Sequence, residues 1–192
     1  MFLESNDKNG YIEVVCGSMF SGKTEELIRR INRVRIAGQP FRVFKPSIDI
    51  RYSDTKVVSH SNNKIKSISI NKPDEILSLS EDFDVIGIDE VQFFDKEIVE
   101  ICTQLANSGK RVIVAGLDMD YSGQPFGPMA GLLSVAEYVT KVKAICMDCS
   151  GLSNFSYRLV DSEEIVVLGE KKEYIPLCRR CFAKRTNGTN KK

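Results

Sequence analysis

The 192-residue sequence has a single histidine, almost no net charge and no long apolar run. Each shortage removes a class of function. One imidazole is too few for a centre built on several histidine ligands, and His60 reads as structural. With 27 basic and 26 acidic residues the formal charge is +1, so no polyanion is held by bulk electrostatics and nucleic acid is not an expected partner. No uninterrupted apolar stretch reaches the ~18 residues of a spanning helix. The opening residues, MFLESNDKNG, set acidic and amide side chains where a signal peptide has its apolar region. A cytoplasmic protein without membrane contact is expected. Internal repeats and low-complexity segments are lacking as well.

What is present is the composition of a globular protein, 42% hydrophobic and 28% charged. Between Tyr11 and Leu133 the short β-branched runs YIEVVC, FRVFK, DVIGID and RVIVAGL alternate with helix-period stretches at 25–36 and 96–107. That alternation predicts an α/β fold, a parallel sheet with crossover helices. VIGID and VIVAG are apolar at nearly every position, as central strands covered on both faces require. From about Val139 the pattern changes to shorter strands, VTKVKAIC and EIVVL, bracketed by cysteine pairs. The expected organisation is a nucleotide-binding α/β domain over residues 11–138, a small cysteine-bearing domain over 139–185, and flexible termini at 1–10 and 186–192.

The most informative stretch is VVCGSMFSGKTEELIRR, residues 14–30. Gly17, Gly22, Lys23 and Thr24 fit G-x-x-x-x-G-K-[ST] between a strand and a helix, the context that a phosphate-binding P-loop requires. Glycines let the backbone N–H groups of Gly17, Ser18, Met19, Phe20, Ser21, Gly22 and Lys23 converge on phosphate oxygens at the positive end of the following helix. Lys23 would reach the β- and γ-phosphates, and the Thr24 hydroxyl would ligate Mg2+. A nucleoside triphosphate is the expected ligand. DVIGIDEVQFF then offers Asp89, at the end of an apolar strand, as the second metal-side ligand. Glu90, where the chain turns, would be a general base for a substrate hydroxyl or for water. The dipeptide alone does not separate a kinase from an ATPase.

Two further loops bear on that choice. FKPSIDIRYSD, followed by VVSHSNNK, holds no good helix and predicts a flexible hairpin or flap. Arg51 within it either stabilises charge on a transferring phosphoryl group or is a solvated loop charge. GLDMDYSGQPFGPM, after the fourth apolar strand, sets Leu117, Asp118, Tyr121 and Phe126 at the carboxyl edge of the sheet, where open α/β sheets bind ligands. Aromatic side chains there suit a flat ring or belong to the core.

Cysteines supply the last constellation. Cys146/Cys149 and Cys178/Cys181 are two C-x-x-C pairs, which in a reducing compartment favour metal over disulfide and predict one tetrahedral Zn2+ site. Four thiolates leave no open position, so the site is structural. Residues 150–177 between the pairs exceed the 15–20 of a compact ribbon. The chain must make an excursion whose ends the metal anchors.

In that order, GSMFSGKT, DIRYS, DEVQFF, GLDMDYSGQPFGPM, CMDC and YIPLCRRC resemble the thymidine kinases of the type II class, over roughly Tyr11 to Phe182. The resemblance implies transfer of the γ-phosphoryl group of ATP, with Mg2+, to the 5′-hydroxyl of thymidine, giving thymidine monophosphate. It also implies a homotetramer, inhibition by thymidine triphosphate, a structural zinc, and a loop called the lasso folding over the nucleoside. Carried over by position, Glu90 matches the catalytic base and Arg51 the arginine of the flap. Met19, Phe93, Leu117 and Tyr121 match positions lining the thymine pocket, with Met19 near the 5-methyl group. Ser156 matches a hydroxyl that bonds the base, Tyr174 the tyrosine closing over the nucleoside, and Val167 to Gly169 the lasso backbone that reads the pyrimidine edge. Three other readings share some of these motifs: a kinase for another deoxynucleoside, a zinc-ribbon ATPase acting on nucleic acid, and a non-catalytic nucleotide-responsive module. The balanced charge and the single α/β unit argue against the second, and the complete Lys23, Thr24, Asp89 and Glu90 set against the third.

Overall fold

Strands that are apolar at every position need cover on both faces. A computed structural model of the chain, which describes residues 9–48, 56–58, 64–160 and 173–189, has this arrangement. Its strands are β1 (Tyr11–Cys16), β2 (Phe41–Pro46), β3 (Lys56–Val58), β4 (Lys64–Lys66), β5 (Ile68–Ile70), β6 (Val85–Ile88), β7 (Arg111–Gly116), β8 (Tyr138–Lys141), β9 (Ala144–Ile145), β10 (Leu152–Ser153), β11 (Phe155–Arg158) and β12 (Tyr174–Leu177). The helices are α1 (Lys23–Ile36), α2 (Glu75–Leu79), α3 (Glu97–Asn107), α4 (Met129–Val135) and α5 (Arg179–Thr189). One sheet has the order β5-β2-β6-β7-β1-β8, and every neighbouring pair in it is parallel.

Alternation along β1 sorts the core into two layers. Ile12, Val14 and Cys16 pack with Phe44, Ile88, Val112 and the α3 and α4 residues Ile98, Leu105 and Leu132. Val15 faces the other way, toward Leu27, Ile31 and Val34 of α1. The expected α/β class is therefore present, with α1 covering one face and α3 and α4 the other. Because all strands are parallel, their carboxyl ends share one edge. The segments 17–22, 89–94 and 117–128 all leave from it.

Several boundaries differ from the sequence reading. α1 starts at Lys23 rather than residue 25, since the loop's own Lys and Thr enter its first turn. β8 crosses the expected boundary at 138/139: Glu13 pairs with Tyr138 and Cys16 with Lys141. The run VTKVKAIC thus gives its first half to the main sheet. α5 continues to Thr189, so residues 186–189 of the expected flexible end are helical. β3 and β4 pair antiparallel, as a hairpin should. Arg51, His60 and the run EIVVL lie outside the described residues.

The α1 face of β1 holds a charge where a strand core calls for an apolar residue. Glu13 is fully buried. Its Oε2 accepts from Arg30 Nη1 of α1 at 2.5 Å, and its Oε1 accepts from Arg111 Nε of β7 at 2.6 Å. Arg30 also donates to Glu26 Oε1 at 2.8 Å and to Thr140 Oγ1 of β8 at 2.9 Å. A carboxylate taken out of water is tolerable only with such partners, and removing it strands the cations around it. Glu13→Ala should lower unfolding stability by about 3–5 kcal/mol in urea denaturation. A loss under about 1 kcal/mol would show that the two arginines find other partners without cost.

Candidate active site

Backbone conformation comes first at this site. After β1 the chain runs through Gly17 at φ 149°, Phe20 at φ 62° and Gly22 at φ 85° before entering α1. Gly17 has no substitute: a Cβ there would stand 2.3 Å from the Val142 carbonyl oxygen. The turn is closed from inside, with Ser21 Oγ donating to the Ser18 carbonyl at 2.7 Å and Lys23 Nζ to the same oxygen at 3.0 Å. Gly22, at the N-cap of α1, makes no side-chain cap hydrogen bond, and the loop stands at the positive end of that helix.

Beyond the loop, Thr24 Oγ1 donates to Asp89 Oδ2 at 3.2 Å. Oxygen ligands in the near-octahedral shell of Mg2+, each at ~2.1 Å, lie about 3 Å apart, so this pair has the chemistry and spacing of two neighbouring ligands. Glu90 follows in the left-handed region, φ 50° and ψ 38°. That single turn ends the strand and brings Glu90 to the same side as the loop. A cavity of about 40 Å3 is lined by Glu90 together with Met19, Phe20, Lys23, Thr24 and Leu117.

Gln92 and Lys45 belong to this site and escaped the sequence reading. Gln92 Oε1 accepts the Leu117 N–H at 3.0 Å, which leaves Nε2 to donate to Glu90 Oε2 at 2.5 Å. Its signal was its place inside DEVQFF. Phe44 pairs with Ile88, and the Asp89 N–H donates to the Phe44 carbonyl at 3.0 Å. Lys45 and Asp89, one residue further on, therefore share the face that α1 covers. Lys45 is 2% exposed. A lysine directly after the apolar pair Val43 and Phe44, at the end of β2, was the available clue.

The remaining candidates divide by location. Phe93 and Phe126 meet edge to face at 5.8 Å. Ser156 Oγ accepts the Met19 N–H at 2.9 Å, and Ser18 and Ser153 hydroxyls are 3.3 Å apart, so β10 and β11 of the small unit dock on the loop. Ser156 keeps its own O–H as a donor. Arg158 Cζ is 3.5 Å from the centre of the Tyr121 ring and 5.7 Å from that of the Tyr174 ring. Asp118 is ion-paired with Lys141. Val167 and Gly169, like Arg51, are outside the described residues.

The four cysteines of the C-x-x-C pairs come together. Their sulfurs lie within 4.8 Å of one another, with Cys149 and Cys178 at 3.7 Å. Sulfurs ~2.3 Å from a tetrahedral zinc are about 3.8 Å apart, so the set fits that metal. Within the cluster the thiols share protons: burial raises Cys146 but the backbone N–H groups of Cys178, Asp148 and Cys149 outweigh it and bring it to about 6, whereas the hydrogen bond with Cys178, followed by burial, pushes Cys181 up to about 12. The other two cysteines lie outside the cluster. Burial, followed by the Asp118 carboxylate, pushes Cys16 up to about 11, and burial pushes Cys102 up to about 12. Among the described residues no helix is long and apolar enough to cross a membrane.

Comparison with known proteins agrees with this constellation. A family model described as thymidine kinase matches residues 10–182. A thymidine kinase of Rhodothermus sp. (strain ITI 518) is 56% identical over 182 residues, covering 95% of this chain and 85% of that protein. One from Porphyromonas gingivalis is 55% identical over 177 residues, covering 92% and 87%, and one from Bacteroides fragilis 53% over 180 residues, covering 94% and 90%. With its loop, paired carboxylates and cysteine cluster all inside the matched span, this chain belongs to the thymidine kinase family.

Proposed function

We propose that the chain transfers the γ-phosphoryl group of ATP to the 5′-hydroxyl of thymidine, giving thymidine monophosphate. The observation that carries the reading is the place of Glu90, a base oriented by Gln92 in the same small cavity as Lys23 and Thr24. Thymidine as the acceptor is supported by the family and by the relatives' names. In this reading the N–H groups of Gly17 to Lys23 cradle the phosphates, and Lys23 turns from the Ser18 carbonyl to the β- and γ-phosphate oxygens. Thr24 and Asp89 would hold Mg2+, which when bound draws charge from the phosphate chain. Glu90 accepts the 5′-hydroxyl proton while Lys23 and Arg51 offset charge on the phosphoryl group in an in-line transfer.

The nucleoside would lie between Met19 and Leu117 on one side and Phe93, Phe126, Tyr121 and Tyr174 around it. Ser156 would donate its hydroxyl to the base, and the backbone from Val167 to Gly169 would read the pyrimidine edge. Met19 and Leu117 favour the thymine methyl, yet one methyl is worth only about 1–3 kcal/mol, so deoxyuridine is a second substrate of the same site. Thymidine triphosphate carries in one molecule a base for this pocket and phosphates for the loop, which makes it the natural inhibitor. Cys146, Cys149, Cys178 and Cys181 would hold a structural Zn2+, and the assembly would be a homotetramer in the cytoplasm.

Three measurements test the reading. ADP release with ATP and Mg2+ should depend on thymidine, be weaker with deoxyuridine by roughly 5–150-fold, and be near background with deoxycytidine or no acceptor. Equal release without any nucleoside would make Glu90 a base for water. Glu90→Gln should lower kcat by about 10²–10⁴ while the thymidine Kd, from calorimetry, moves less than about threefold; full turnover removes Glu90 from the chemistry. The purified protein should carry about one zinc per chain, lost in Cys149→Ser together with a rise in thymidine KM. A metal-free variant with unaltered KM would detach the cysteine module from the pocket.

A further inference from the structure

Arg158 ends β11 just before the chain leaves the described hairpin, and it pairs with Tyr174, which begins β12. It is 8% exposed, an unusual place for a guanidinium. Its Cζ stands 3.5 Å from the centre of the Tyr121 ring and 5.7 Å from that of Tyr174. Tyr121 comes from the main sheet, on the loop that follows β7, whereas Tyr174 comes from the small unit. Along β11, Ser156 and Arg158 are two residues apart and share a face. Ser156 meets the loop after β1 through the Met19 N–H, and Arg158 meets the loop after β7.

We propose that Arg158 is a positioning residue for the nucleoside, its guanidinium fixing where the Tyr121 and Tyr174 rings stand at the edge of the nucleoside pocket. The inference rests on the function proposed above. A guanidinium suits this place for three reasons. It is planar and stacks on a ring face, it is weakly hydrated and so tolerates burial, and its charge is attracted by both π faces at once. A lysine would bring the charge without the plane. With one guanidinium in reach of both rings, the loop after β7 and the start of β12 have one spacing.

The test compares Arg158→Gln and Arg158→Lys with Tyr121→Phe and Tyr121→Leu, each with intact zinc content and far-ultraviolet circular dichroism. Arg158→Gln should raise thymidine KM roughly tenfold with ATP KM and kcat within about twofold. Arg158→Lys should recover less than about a third of that rise, since charge without a plane does not restore the stack. Tyr121→Leu, which removes the ring face, should raise thymidine KM, and by more than Tyr121→Phe, which keeps it. The double variant Arg158→Gln/Tyr121→Leu should be no worse than the poorer single one. Should Arg158→Gln not fold, Arg158→Lys decides, and a thymidine KM equal to that of the unsubstituted protein overturns the proposal. Unchanged thymidine KM in Arg158→Gln, an equal rise in ATP KM, or strict additivity overturns it alone, provided the unsubstituted protein phosphorylates thymidine. An unsubstituted protein that neither binds nor phosphorylates thymidine overturns the proposed function and this inference together.

Discussion

The amide of Gln92 has an acceptor and a donor to place, and both are committed to the site. Its oxygen takes the Leu117 N–H at 3.0 Å and its nitrogen reaches Glu90 at 2.5 Å. A backbone N–H is only a donor, so turning the amide over would set donor against donor at Leu117. The direction of the Glu90 carboxylate is thereby tied to the end of β7. Glu90 needs that tie, because a non-glycine residue at φ 50° and ψ 38° carries strain on the order of 1 kcal/mol or more that surrounding contacts must offset. The Gln92 backbone constrains the far end of the next loop as well. Gly127 passes at φ 51°, and a Cβ on it would lie 2.4 Å from the Gln92 carbonyl oxygen. Two strand-end segments, 89–94 and 117–128, are held in one arrangement by a residue with no direct part in the proposed chemistry.

Charge is distributed unequally across the sheet. The face packed on α3 and α4 is an apolar core of strand and helix residues with the Gln92 amide at its carboxyl edge. The α1 face buries Glu13, Lys45 and Asp89 from the strands, with Lys23 and Arg30 from the helix. Lys23, Leu27, Arg30, Ile31 and Val34 follow one helical stripe, so the surface that gives α1 its apolar contacts also points its cations inward. A buried ion pair contributes little net stability beside an apolar replacement, but it has one good geometry. Arg30 on Glu13 therefore specifies the depth and rotation of α1 against β1 more than it strengthens the packing. The loop from Gly17 to Gly22 is strung between those two elements, and inherits its shape from that register.

How much was legible beforehand follows from what kind of interaction decides each feature. The central strands, the loop and the cysteine pairs were readable because local pattern determines them: β-branched runs, glycines at fixed offsets, C-x-x-C spacing. β8 was misplaced since its pattern, with Tyr138 and Val139 at 41% and 50% exposure, is that of an edge strand, and nothing local says which sheet an edge strand joins. Gln92, Lys45 and Arg158 were missed for a different reason. A polar residue acquires its role from partners distant in sequence, Leu117 for Gln92 and Tyr121 for Arg158, and only the fold brings those together. Glu13 is the extreme case, an acid in a strand whose two arginine partners lie 17 and 98 residues away.

The small unit illustrates the remaining step from packing to function. Among its described residues one apolar cluster has Cys146, Leu177 and Cys181 buried, with Tyr157, Ile175, Cys178 and Phe182 packed around them. Three of these seven are cysteines of the sulfur cluster, so a cross-link among those sulfurs would strengthen the cluster directly. What the strands β10 and β11 then do is hold the loop after β1, through Ser153 on Ser18 and Ser156 on Met19. These bonds fall on the same backbone whose N–H groups are proposed to cradle phosphate. Ordering the cysteine cluster and ordering that loop are thus linked equilibria: whatever fixes the four sulfurs lowers the conformational entropy that the loop must lose when it binds a ligand, and ligand on the loop must in turn favour the assembled cluster. In the proposed reading the cysteine cluster enters binding through two serine hydroxyls, those of Ser153 and Ser156.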